Sequence, residues 1–171
     1  MWENVETTFP NNIVKVIADA TEALNTPGDP DGIYVTKRPL RSSDPKLSAG
    51  VFASQWMPNE DSYEMGNALG GYRQDATLNQ YIISLQALVI DMDELQGLAR
   101  HSVFAKTLRD MLLRNPTVGV ALSTLSTTGT DGLTERVGRR WVRTQRYISN
   151  EISGSFIYLA TLEFTIETET S

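Results

Sequence analysis

The sequence predicts an α+β domain of the α/β kind, in which a mixed, mostly antiparallel sheet of about six strands carries two main helices. Three observations predict it. Residues 155–168 alternate strictly, with Phe156, Tyr158, Ala160, Leu162, Phe164 and Ile166 against Ile157, Leu159, Thr161, Glu163, Thr165 and Glu167, which is the period of two of a β-strand. Two other segments instead repeat at helical spacing, Ile13, Ile17, Ala20 and Leu24, then Leu95, Leu98, Ala105, Leu108 and Leu112. Between them, residues 78–91 are apolar on much of both faces, with Tyr81, Ile83, Leu85, Ala87 and Val89 on one and Ile82, Leu88 and Ile90 on the other. That pattern belongs to a central strand.

Taken in chain order, Pro10-Asn11-Asn12 stops an extended arm and caps a helix over about 12–25. Pro27-Gly28-Asp29-Pro30-Asp31-Gly32 then forces a turn. Short extended runs at 33–38 and 51–56 read as two strands joined by an irregular connection. Residues 57–75 carry Gly66, Gly70 and Gly71 with no sustained period and read as a long loop. After the central strand, Asp91, Asp93 and Glu94 suit a helix N-terminus, and the helix that follows should end near Arg114 at Asn115-Pro116. Val118, Val120 and Leu122 read as the start of another strand, and residues 123–133, rich in Ser, Thr and Gly, as a hairpin tip. Two long strands close the chain, over about 134–148 and 155–168.

The length of 171 residues suits a single domain over 1–171, and 40% hydrophobic with 21% charged residues marks a folded chain. No apolar run approaches the roughly 18 residues that would span a bilayer, so no membrane partner is expected. Met1-Trp2-Glu3-Asn4-Val5-Glu6 lacks the basic start of a signal peptide, which predicts work in a cytoplasm. The absence of cysteine excludes disulfides, thiolate chemistry and cysteine-zinc sites.

Candidate chemistry is sparse. His101 is the only histidine, so no triad or His-rich metal site needing a second imidazole can form, and a partly exposed helix position is expected for it. Gly66-Asn67-Ala68-Leu69-Gly70-Gly71 lacks the Lys-Ser/Thr of a phosphate loop. Asp91-Met92-Asp93 is better placed to cap a helix than to hold a cation. No catalytic residue, metal or cofactor is therefore assigned, and no enzyme activity is expected.

The one unusual charge pattern lies on the strand over 134–148. Arg136, Arg139, Arg140, Arg143 and Arg146 make up five of the 15 Lys and Arg in a chain of net charge -6. A period of two places Arg139 and Arg143 with Trp141 on one face and Arg136, Arg140 and Arg146 on the other. Either this is an edge strand defended by charge, or it faces an acidic neighbour or a polyanion. If the turn over 150–153 sets Ser149 opposite Gly154, Arg140 faces Glu163 and Arg136 faces Glu167 within the chain, leaving Arg139, Arg143 and Arg146 for an interface.

This layout, from the amphipathic helix at 13–24 through the paired short strands, long loop, central strand, helix with its Asn115-Pro116 stop and closing strands, resembles the tail terminator proteins of long, non-contractile-tailed phages. The run 81–168 also looks like versions carried by phages of actinobacteria. The likeness is one of arrangement over nearly the whole chain and not of a short motif. It implies a homo-oligomer, a hexameric ring seated on the last ring of the tail tube protein, which stops tube polymerisation and presents a surface to the head-tail connector. It further implies a virion protein at the neck end of the tail, assembled in the host cytoplasm, with DNA passing through its lumen without sequence-specific binding. In such a ring the arginines would meet acids across the seam, either Glu163, Glu167 and Glu169 or the loop acids Glu60, Asp61 and Glu64. A connector or neck protein of the same virion is the nearest alternative. A nucleic-acid module using the arginines on phosphates, with Trp141 or Tyr147 for stacking, is a further one, opposed by the net charge of -6.

Overall fold

The computed structural model describes residues 9–58, 77–128 and 134–170. They form α1 (Phe9–Glu22), β1 (Tyr34–Thr36), β2 (Leu47–Pro58), β3 (Thr77–Asp91), α2 (Glu94–Arg114), α3 (Pro116–Thr124), β4 (Ser126–Thr128), β5 (Thr134–Ile152) and β6 (Ser155–Thr170). The strands make one sheet in the order β1-β2-β3-β6-β5-β4. Only β1 and β2 are parallel; every other pair is antiparallel. The expected α+β fold with a mixed, mostly antiparallel sheet is what forms, with a third helix added.

All three helices pack on one face of the sheet. Tyr81, Ile83, Leu85, Ala87 and Val89 of β3 meet Ala160, Leu162, Phe164 and Ile166 of β6, and with Phe9, Ile13 and Ile17 of α1 and Phe104, Leu108 and Leu112 of α2 they build a single core. These side chains follow the expected alternation because removing them from water contributes about 25 cal/mol per Å². Residues of opposite parity, among them Ile82, Ser84, Leu88 and Thr165, lie on the second face, where no described helix packs. Part of that face is covered by the connection between β1 and β2. A Cβ on Gly50 would lie 2.7 Å from the Arg38 carbonyl and 2.9 Å from Leu40 Cγ, and the Leu40 N–H donates to Gln86 Oε1 at 2.8 Å.

That connection is clasped by Arg38 and Asp44. Arg38 Nη2 donates to Asp44 Oδ1 at 2.7 Å and Nη1 to Oδ2 at 3.0 Å, and the Arg41 N–H adds a bond of 2.6 Å to Oδ2. The guanidinium first and the backbone donor second hold the Asp44 carboxyl down to about 2.

Several expectations need correction. The first helix spans Phe9–Glu22, not 12–25, because Pro10 sits in the first turn, where its missing N–H has no partner to lose. The first strand shrinks to Tyr34–Thr36, while the second extends back to Leu47. Residues 47–50 pair with β3 there despite their weak strand composition. Val118, Val120 and Leu122 lie on α3 and not on a strand. Asn115 ends α2 and caps α3, its side chain accepting from the N–H groups of Thr117 and Val118, with Pro116 opening the helix. Asn-Pro is thus a start signal as well as a stop. Met57 and Pro58 belong to β2, and the rest of the proposed loop over 57–75 lies outside the described residues. Of the proposed tip over 123–133, Ser123 and Thr124 close α3, residues 126–128 form β4, and 129–133 lie outside the described residues.

Candidate interface on the arginine strand

The arginines all lie on β5, but they are not sorted by a simple period of two. The ladder to β6 slips twice, between Val137 and Arg140 and between Val142 and Thr144. Each slip adds one residue to β5, so side chains beyond it change face. Arg136 faces Glu169 and Arg146 faces Thr161 on the second face, together with Trp141 opposite Thr165. Arg140 faces Ile166 and points to the helix side. The expected grouping of Arg136, Arg140 and Arg146 is therefore corrected. Arg139 lies within the first bulge and is exposed; Arg143 lies within the second, and its side chain is outside the described set.

The two proposed in-chain pairs are replaced for the same reason. The β5–β6 turn is Ser153-Gly154, with φ of 53° and 79°, between Ile152 and Ser155. Positive φ at both central residues suits the twist of a two-residue hairpin. From that turn and the two bulges, Glu163 comes opposite Thr144 and Ser84, and Glu167 lies opposite Gln80 on β3. Arg136 takes Glu169 in place of Glu167. Glu60, Asp61 and Glu64 lie outside the described residues.

Arg140 serves the fold. Its Nη1 reaches the Gly119 carbonyl of α3 at 3.5 Å, and a Cβ on Gly119 would lie 2.9 Å from its Nη2. On the same face, Glu135 accepts from Tyr81 Oη at 2.7 Å and from Thr168 Oγ1 at 2.5 Å. Burial first, and then this bond, raise the Tyr81 phenol well above its ordinary value. Arg136, Arg139 and Arg146 stay exposed. Among the described side chains, these three are the exposed cations of the bulged strand.

The other end of the hairpin holds residues that the sequence reading missed. His101 is fully buried, not partly exposed: Nε2 lies 3.1 Å from the Ala87 carbonyl, and Nδ1 has no hydrogen-bond partner among the described residues. With a carbonyl as its neighbour, Nε2 carries the proton. The ring lies 4.9 Å from that of Tyr147 and 5.8 Å from that of Tyr158. Burial lowers its pKa below the ordinary value. The signal was available, since Gly97, His101, Phe104, Ala105, Leu108, Met111 and Leu112 are the buried stripe of α2. Leu95 and Leu98, assigned to that stripe from sequence, are exposed instead.

Asp93 caps α2 as expected, accepting from the Gln96 N–H at 2.9 Å. Asp91 accepts from the Asp93 N–H at 3.0 Å and pairs with Arg100 at 3.2 Å. These carboxylates are therefore engaged in ending β3 and starting α2. Among the described residues no group of three His, Asp or Glu is placed to hold a metal ion. A cleft of about 390 Å³ is lined by Glu94, Leu98, Phe156 and Tyr158 together with Tyr147, Ser149, Asn150 and Glu151 of β5.

Compared with models of protein families and with curated proteins, the chain gives no match.

Proposed function

We propose that this chain is a structural protein of a phage tail, which assembles head to tail into a ring, caps the tail tube and presents the joining surface for the head connector. The observation that carries the reading is the exposed arginine set on β5, in a fold whose element order resembles the tail terminators. Arg136, Arg139 and Arg146 have no part in the core, and cations on a strand of an acidic chain suit contact with an acidic neighbour.

The shape of the sheet supports a head-to-tail arrangement. Beyond residue 50, β2 has no described strand on its outer side, and β5 has none beyond residue 136. Val51 is level with Leu85, Leu162 and Gln145, and Pro58 with Asn79, Thr168 and Val137. The two free edges thus lie at the same height on opposite sides of the sheet and run antiparallel. A copy rotated about an axis along the strands brings its β2 beside the β5 of its neighbour, and such contacts close into a ring. The bulges interrupt any ladder there, so the arginine side chains carry the contact.

The test is assembly without the protein. Tails should grow to irregular excess length and join no heads. Tails of normal length in electron micrographs would rule out termination and favour a neck role.

A further inference from the structure

The two halves of β5 differ in a way that the ring reading does not use. Residues 137–144 contain both bulges and three of the five arginines, and bulges and charges are two of the devices by which natural edge strands resist pairing. Residues 145–152 contain neither bulge and a single arginine, and their ladder to β6 is regular up to the turn. No described strand lies on their outer side. Their apolar side chains are exposed, with Ile148 at 59%, Ile152 at 53% and Tyr147 at 45%. A regular, unprotected edge flanked by exposed apolar side chains is a template for an added strand.

The cleft beside this edge specifies the chemistry of that strand. Its walls are the rings of Tyr147, Tyr158 and Phe156, its charged groups are Glu94 and Glu151, and its lining contains no cation. Aromatic faces with nearby carboxylates favour an arginine or lysine side chain, the guanidinium above all because it can stack and donate together. Tyr147, Ser149 and Glu151 project to this side of the sheet, while Ile148 and Ile152 project to the other.

We infer that residues 145–152 are a docking edge for an extended segment of another protein, which adds to β5 as a strand, turns a cationic side chain into the Tyr147–Glu151 cleft and lays apolar residues beside Ile148 and Ile152. Alternation along a strand delivers both sets of contacts at once. This inference shares Gln145 and Arg146 with the ring reading and otherwise uses the part of β5 beyond them.

The probe is a pair of synthetic hexapeptides titrated into the full chain and followed by amide NMR, one alternating arginine with valine and the other glutamate with valine. The basic peptide should shift the amides of residues 145–152 and 94–98 in a saturable way, and the acidic one should not. Ile148→Lys, which places a charge on the edge without entering the core, should weaken binding at least tenfold, and Glu151→Gln should weaken it severalfold. Circular dichroism establishes that each variant is folded, and Glu94→Gln serves if either is not. Equal shifts from both peptides, shifts confined to residues 134–144, or no shifts at all overturn the inference. So do shifts of the same amides with protein concentration alone, because the occupant is then a second copy.

Discussion

His101 makes the stability of this fold depend on pH in a way that one substitution can isolate. In the folded chain its ring is buried between Tyr147 and Tyr158, and its one hydrogen-bond partner among the described residues is the Ala87 carbonyl. Burial disfavours the imidazolium, so the folded pKa lies below the unfolded one. A group with a depressed folded pKa contributes its full stability above the unfolded value and loses it as pH falls. For an unfolded histidine near 6.5, the loss is at most about 1.4 kcal/mol at one pH unit below that, and it stops growing once the folded value is reached. His101→Gln keeps a donor for the Ala87 carbonyl and does not titrate. Urea unfolding of both proteins between pH 7.5 and 5.5 should show the wild type losing stability relative to the variant, by at most about 1.4 kcal/mol over that range. Parallel stability curves would refute the reasoning, and would mean that the ring accepts a proton in place.

Further outcomes follow from the same structure. Asp44, held down to about 2 from an ordinary value near 3.8 by Arg38 and the Arg41 N–H, contributes stability that is present above pH 4 and lost as pH falls towards 2; Asp44→Asn should be less stable at neutral pH, with thermal melts converging on the wild type near pH 2. A Cβ on Gly97 would lie 2.8 Å from both Asp91 Cβ and Tyr158 Cε2, so Gly97→Ala should cost about 1–3 kcal/mol in denaturant unfolding. Phe164 is fully buried at the centre of β6, and Phe164→Ala should cost about 3–5 kcal/mol in the same assay. On the proposed ring arrangement, double reversal of Arg136 and Arg139 to Glu should leave circular dichroism unchanged and weaken assembly in native mass spectrometry. Arg140→Glu should instead lower the melting temperature, because Arg140 reaches α3; intact rings from the first variant would reduce those arginines to edge protection.

The alternation of β6, the apolar run of β3 and the Asp93 cap were legible in the sequence because burial and capping act on residues a few positions apart. The arginines were legible only as charge. Which face each takes depends on the two bulges, and a bulge is an agreement between β5 and β6 that neither strand states alone. Arg140 thereby leaves the candidate interface for the Gly119 carbonyl, and Glu163 and Glu167 receive partners other than those that counting from a turn over 150–153 supplies. The identity of α3 was open to local reading through Asn115-Pro116, but Val118, Val120 and Leu122 also fit a strand at so short a length. Packing decided between them, burying Val118 and Leu122, four apart, while Val120 faces solvent. By itself the sequence determined that two helical faces and a set of alternating strands share one core. Tertiary structure decided where the uncommitted polar residues go, because a charged side chain takes its position from what stands opposite, and that is fixed only when distant strands come into register.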